Sequence, residues 1–505
     1  MHKMAIAVLA GLAAHATSGA GAAERLVTGG VVRGQDMADG GTVFRGIPYA
    51  AAPVGALRFG PPAPVVPWSG LRDATLPPPP CLQHNEGWNA DDAAKSREDC
   101  LYLSIRAPRH QPTDRLPVMF WIHGGSNRAG SGSGYVESAI HLRGVVLVSI
   151  EYRLGVFGFL ASPELSAGSP EHASGNEAIL DQIAALGWVK DNIANFGGDP
   201  NNVTIFGQSA GAYDVGFLLL SPLARGLFQR AVLESGNPGL VAPPRTAAEN
   251  ERLGTDLAAL VGVKPGQDAL AALRAAPAQD LLVQGDKLVP PDNLSPDLLW
   301  GQATVDGYVL RDAPTEILAK DEEAHVPLII GNIAREFSVE ASPQAARQMI
   351  VSYFGKNADA ALALYGLKPG QPVVDDPVLG NAATQFVTDL IFRCPANRLA
   401  AAVAAAGRDV WRYQFGVAAP GGKTPLAHNA DLKYVFDAPA LDATFGSWPP
   451  LQQYWTNFAR GGNPNAAGLP YWPSYASKAR YMDFTPQGPK SGADPRGAIC
   501  RLMNG

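Results

Sequence analysis

The chain has 505 residues, 46% of them hydrophobic and 17% charged, with a net charge of −6. That supply of apolar side chains suffices for a large buried core and excludes a disordered chain, which is poor in hydrophobics and rich in net charge. Lys and Arg form no cluster, so nucleic acid is excluded as a partner: a surface that tracks phosphates needs concentrated positive charge.

At the N-terminus, His2 and Lys3 precede an apolar run from Met4 to Ala14, too short to span a bilayer. Small residues follow (Ser18-Gly19-Ala20-Gly21-Ala22-Ala23), so residues 1–23 read as a cleavable signal peptide of a secreted or periplasmic protein. There is no other run of spanning length. Export places the cysteines in an oxidising compartment, where Cys81, Cys100, Cys394 and Cys500 allow three pairings. The sequence-local one joins Cys81 to Cys100 and Cys394 to Cys500, worth about 3 and about 5 kcal/mol by loop-closure entropy. No CxxC or His/Cys cluster suggests a metal site.

Further along, strands alternate with helices. Leu116 to His123 (LPVMFWIH) and Val145 to Ile150 (VVLVSI) are continuous apolar runs, the pattern of strands buried on both faces. Asn176 to Asn195 carries apolar residues at helical spacing and stops at Phe196-Gly197-Gly198. Short strands follow at Val203 to Phe206 and Arg230 to Leu233, with later ones at Val326 to Ile330 and Val410 to Phe415. The alternation predicts an α/β fold, a mostly parallel central sheet flanked by helices. Ala/Gly-rich stretches near 241–285 and 340–380 read as helical insertions over the core, and no linker divides residues 24–505, which read as a single domain.

Gly207-Gln208-Ser209-Ala210-Gly211 is a G-x-S-x-G pentapeptide between the strand at Val203 and a helix-compatible run, Ala210 to Leu220. Strand, sharp turn and helix are what a nucleophile elbow requires, with small neighbours so that helix and strand pack closely. Ser209 is therefore the candidate nucleophile. Of nine histidines, only His325 and His428 follow it. His325 precedes a strand, at the wrong end of a parallel sheet, which leaves His428 as the base. The acid belongs just past a strand end between the two: Glu336 fits, and Asp306 and Asp389 are rivals with less clear placement. His123-Gly124-Gly125-Ser126 follows a strand where backbone N–H groups, with the amide of Ala210, can receive an oxyanion. The Gly/Ser-rich stretch Gly130 to Gly134 lacks the spacing of a phosphate-binding loop.

These residues together resemble the type-B carboxylesterase/cholinesterase family of the α/β-hydrolase superfamily. Phe196 to Gly211 matches its nucleophile signature throughout, and Glu98 to Leu103 matches its second signature, with Arg106 where an apolar residue is usual. The likeness runs from about Gly29 to Cys500. It implies an α/β-hydrolase fold with large loop and helix insertions over the active site, hydrolysing small-molecule carboxylic esters without a cofactor. It also implies a Ser209-Glu336-His428 triad, an oxyanion hole of Gly125, Ser126 and Ala210, a short disulfide loop at Cys81–Cys100, and a buried pair, Ser235 and Asp389, near the histidine. Two departures stand out: Ser126 and Asn127 occupy places usually held by a small residue and an aromatic. Trp88, Asn127, Arg128 and Arg335 are candidate substrate contacts, and an inward Arg128 or Arg335 would favour esters that carry a carboxylate. The same fold also hosts non-catalytic binding modules, and the same triad serves amidases and peptidases, so these are the competing readings.

Overall fold

The computed structural model describes residues 23–290, 299–370, 372–417, 426–436, 450–476, 479–494 and 496–504. Residues 1–22 of the expected signal peptide, and residues 291–298, 371, 418–425, 437–449, 477–478, 495 and 505, lie outside the described residues.

An eleven-stranded sheet organises the molecule. Its strands, in chain order, are β1 (Gln35–Asp36), β2 (Thr42–Pro48), β3 (Tyr102–Ala107), β4 (Leu116–Ile122), β5 (Val146–Ile150), β6 (Gly198–Gln208), β7 (Arg230–Glu234), β8 (Leu328–Ile333), β9 (Val410–Phe415), β10 (Arg480–Thr485) and β11 (Gly488–Ala493). Across the sheet they run β11-β10-β9-β8-β7-β6-β4-β5-β3-β2-β1. From β5 through β10 every neighbour is parallel, whereas β1, β2, β3 and β11 pair antiparallel at the two edges. This is the α/β-hydrolase arrangement.

The apolar runs are buried on both faces. Along β4, Val118, Phe120 and Ile122 join one hydrophobic core while Met119 and Trp121 join the other, the alternation of a pleated strand. Helices α1 (Glu177–Asn192) and α2 (Ala210–Leu220) cover the first face, together with α3 (Cys394–Ala405). On the second, α4 (Leu451–Gly461) packs Tyr454, Trp455 and Phe458 against β9 residues Trp411 and Tyr413. The stretches near 241–285 and 340–380 do contain helices, among them Ala247–Leu260, Ala278–Gly285 and Pro343–Phe354.

The strands that sequence reading missed are β1, β2, β3, β10 and β11. Four sit at the sheet's antiparallel margins, where polar residues interrupt the apolar pattern. Arg106 in β3 is a case in point: it is buried, yet pairs with Asp39 at 2.5 Å and lies 3.1 Å from His141 Nε2. The strand before Ser209 is longer than Val203–Phe206: it reaches back to Gly198, which pairs with Leu116 of β4, and on to Gln208, which pairs with Glu234 of β7. Cys81–Cys100 and Cys394–Cys500 are disulfide-bonded. Among the described residues, no helix is long and apolar enough to cross a membrane.

Candidate active site

Four parallel strands deliver the site with their carboxyl ends. Strand β6 runs into Ser209, which sits at φ 56° and ψ −127°, a conformation hostile to a side chain. The turn survives because its neighbours are glycines. A Cβ on Gly207 would stand 2.5 Å from Gly211 O, and one on Gly211 would stand 2.1 Å from Ile122 O. The Ser209 amide donates to Glu234 O at the end of β7 (2.9 Å), and α2 begins at Ala210.

Strand β8 ends at Ile333, and three residues later Glu336 turns back: its Oε1 accepts the Ile333 amide at 2.8 Å. Its Oε2 lies 2.5 Å from His428 Nδ1, and His428 Nε2 lies 2.8 Å from Ser209 Oγ. Glu336 is buried, so the carboxyl is fixed by these two donors rather than by solvent. His428 comes from the loop after β9, where Gln208 Nε2 holds its carbonyl oxygen at 2.9 Å. The imidazole is flanked by Phe337 (ring centroids 4.4 Å apart) and Phe392 (5.2 Å). Of the rivals, Asp306 instead caps a turn by accepting the amides of Tyr308, Val309 and Leu310.

The loop after β4 folds over the serine. A Cβ on Gly124 would stand 3.0 Å from Ser209 Cβ. Gly125 (φ 112°), Ser126 (φ 56°) and Asn127 (φ 54°) all have positive φ. Gly125 O accepts the amides of Arg128 and Ala129, each at 3.0 Å, which closes the loop into a tight turn. Among the described residues, no oxygen accepts from the amides of Gly125, Ser126 or Ala210. Gln83, on the Cys81–Cys100 loop, clamps Gly130 from both sides: Gly130 N donates to its Oε1 (2.7 Å), and its Nε2 donates to Gly130 O (2.8 Å).

The remaining candidates divide. Trp88 is two-thirds exposed, with its ring edge 3.4 Å from where a Gly125 Cβ would stand, so it rims the same loop. Asn127 does not face the cleft. Its side chain is buried, donating to Asp214 Oδ1 (3.1 Å) and accepting from the Tyr152 hydroxyl (3.0 Å). Burial pushes Asp214 up to about 7, against the hydrogen bonds from Asn127 and Gln182. Arg128 is taken up in an ion-pair cluster with Glu86 and Asp286, both at 3.3 Å. Arg335 donates to Ser338 Oγ at 3.1 Å. Ser235 and Asp389, expected as a pair, do not pair. Both are buried, but Asp389 binds Arg393, Arg496 (2.6 Å) and the Tyr365 hydroxyl (3.0 Å), because two guanidinium groups compensate its charge better than one hydroxyl. Two further buried acids stand on these elements: Glu234, at the end of β7, accepts Trp455 Nε1 at 2.6 Å, and Asp431, three residues after His428, accepts the Tyr413 hydroxyl at 3.0 Å. Burial raises both, and Asp431 reaches about 7, with the nearby Glu336 charge adding to the rise. Among the described residues, no group of three or more His, Cys, Asp or Glu side chains is arranged to hold a metal ion.

A hydroxyl, an imidazole and a carboxyl thus stand in series beneath a loop with free amides on an α/β-hydrolase sheet, and comparison with known proteins makes the chain a carboxylic ester hydrolase. The chain belongs to the Carboxylesterase family, whose sequence model matches residues 22–500. It is 35% identical over 466 residues to Fumonisin B1 esterase of Sphingopyxis macrogoltabida, covering 88% of this chain and 83% of that one. Liver carboxylesterase 1F of Rattus norvegicus is 34% identical over 495 residues, covering 88% and 85%. Among solved structures, a PNB esterase superposes with a TM-score of 0.77 at 30% identity, over 95% of this chain and 99% of that one.

Proposed function

We propose that the enzyme hydrolyses esters through an acyl-enzyme on Ser209, with His428 as base and Glu336 as the group that orients it. The observation that carries this is the unbroken relay: 2.8 Å from Ser209 Oγ to His428 Nε2 and 2.5 Å from His428 Nδ1 to Glu336 Oε2. As Ser209 Oγ attacks the ester carbonyl, its proton passes to Nε2 and the carbonyl oxygen becomes an anion. The amides of Gly125, Ser126 and Ala210 stabilise that anion, at about 3 to 4 kcal/mol per donor. Collapse expels the alcohol, which takes the proton from Nε2. Water then repeats the sequence in reverse roles, releasing the acid and restoring Ser209. Glu336 keeps the Nδ1 proton in place and offsets the imidazolium charge. Every group used is a side chain or a backbone amide of this chain.

The exposed rings of Trp88 and Phe337 offer an apolar surface beside the reacting groups, while Arg128 is engaged by two carboxylates. This favours a small uncharged ester. Two disulfides and the N-terminal residues support export of a single domain, residues 24–505, after removal of residues 1–23. A panel of p-nitrophenyl esters and matched anilides tests the reading, with Ser209→Ala as control. Ester turnover should exceed anilide turnover and fall in the variant by about four orders of magnitude or more. Ester turnover by Ser209→Ala within tenfold of wild type refutes the assignment. No turnover by wild type marks a binding module instead, and preferred anilide cleavage marks an amidase.

A further inference from the structure

One side chain reaches both ends of the loop that carries the Gly125 and Ser126 amides. Glu151 follows β5 and is fully buried beneath the loop. Its Oε1 accepts three donors from the loop's far end: the Ser131 hydroxyl (2.7 Å) and the amides of Gly132 and Ser133 (2.9 Å each). Its Oε2 faces the near end, 4.0 Å from His123 Nε2. Neither Oε2 nor Nε2 has a hydrogen-bond partner among the described residues, and both are shut off from solvent. The tautomer of His123 follows from its other nitrogen. Nδ1 lies 2.8 Å from Gly124 O, a carbonyl that only accepts, so Nδ1 bears the proton and Nε2 presents a lone pair.

Two lone pairs facing each other in a dry interior repel, and each forfeits its hydrogen bond. A proton on Oε2, turned toward the ring, replaces that repulsion with attraction across the 4.0 Å gap. We propose that Glu151 is a positioning residue whose carboxyl carries a proton on Oε2, turned toward the lone pair of His123 Nε2, and that this proton keeps the amide-bearing loop shaped for catalysis. The inference rests on the oxyanion role proposed above for that loop.

The surroundings favour such a proton at neutral pH. Burial pushes the Glu151 carboxyl up to about 8, a rise that the Ser131, Gly132 and Ser133 donors oppose and Asp92 adds to. Burial also pushes His123 down to about 4, so the proton resides on the carboxyl and points at the ring. The other groups packed here are Tyr49, whose hydroxyl donates to Glu151 O (2.7 Å), and Tyr152, whose hydroxyl donates to His123 O (2.8 Å) and whose ring packs on the imidazole. Burial lifts both tyrosines well above their ordinary range, so they stay protonated when Glu151 titrates. Asp214 faces Tyr152 from α2 and titrates near 7, one step earlier. Because the folded pKa of Glu151 is raised, its contribution to holding the loop is complete at low pH and is lost as pH rises through about 8.

The test is the pH dependence of kcat on a neutral ester, each protein being read against its own value at pH 7. Wild type should lose at least about fivefold in kcat by pH 9.5 with KM little changed, since the loss falls on transition-state stabilisation. Glu151→Gln should show no such fall, because its amide group turns an N–H toward Nε2 at every pH while its oxygen serves the three donors. An equal alkaline fall in Glu151→Gln, or none in wild type, overturns the proposal. Should Glu151→Gln fail to fold, Ser131→Ala decides. Losing a hydroxyl that favours the carboxylate should move the alkaline fall up by about half a pH unit. An unmoved or lowered midpoint overturns it. A Ser209→Ala variant that stays active would instead refute the acyl-enzyme reading itself, so the two failures are distinguishable.

Discussion

Glu336→Gln is the substitution that bears hardest on the proposed relay. The carboxylate has two oxygens and two N–H donors, the Ile333 amide at 2.8 Å and His428 Nδ1 at 2.5 Å. A glutamine has the same shape but one oxygen, so its NH2 must face one of the two. The Ile333 amide is fixed, because Ile333 pairs with Phe415 at the end of β8 and cannot give up its proton. An imidazole on a loop can change tautomer at little cost. The amide oxygen therefore stays with Ile333, the NH2 meets Nδ1, and the proton of His428 moves to Nε2. There it points at Ser209 Oγ and the base is gone. Loss of the correct tautomer together with loss of the charge facing the imidazolium should lower kcat by about 10³ to 10⁴, or roughly 4 to 5.5 kcal/mol. KM should change little, because Glu336 is buried behind the ring. Steady-state kinetics on p-nitrophenyl butyrate would measure this, with the thermal midpoint as a check on the fold. If the oxygen turned to His428 instead, activity would persist and the opposed Ile333 N–H would cost about 1 to 3 kcal/mol of stability. A variant with kcat within tenfold of wild type and an unchanged midpoint would refute the reasoning on both counts.

Two further expectations are simpler. Arg153 and Asp181 form a buried bidentate pair, with Nε to Oδ2 at 2.8 Å and Nη2 to Oδ1 at 2.7 Å; Asp181→Asn strands a buried guanidinium and should cost about 3 to 5 kcal/mol, read as a lowered thermal midpoint and faster heat inactivation. With Arg128 engaged by Glu86 and Asp286, and Arg335 by Ser338, wild type should turn over a neutral ester with higher kcat/KM than its carboxylate-bearing analogue. A preference for the acidic ester that disappears in Arg335→Ala would show that this guanidinium reaches the substrate.

What the sequence made legible follows from how local each signal is. Ser209 was readable because its constraint is packed into five residues: small neighbours, a strand before and a helix after. The position of Glu336 is legible because ligand sites in a parallel sheet gather at the carboxyl ends of strands, and β8 ends at Ile333. His428 fell to elimination, since chain order left no rival. Side-chain direction was another matter. Asn127 and Arg128 sit where the motif places substrate contacts, yet the turn at positive φ sends Asn127 down to Asp214 and Tyr152, and Arg128 across to Asp286, 158 residues away. Nothing in the local pattern encodes that. The expected Ser235–Asp389 pair failed for the same reason, its acid being captured by Arg496, 107 positions on.

The same distinction explains what was missed around the histidine. Phe337 and Phe392 carry no motif; one follows the acid and the other lies in a π-helical turn before the Cys394–Cys500 disulfide. Only the fold brings both rings against His428. Their effect is nonetheless chemical. In the proposed relay, the rings packed on the imidazole lower the polarity of the medium through which the Glu336 charge acts. A carboxylate buried this way stabilises an imidazolium strongly, and it does so only while its second oxygen is held by the Ile333 amide. The strand end that made Glu336 readable is thus also what fixes the acid in place: the sheet supplies the position and the hydrogen bond together.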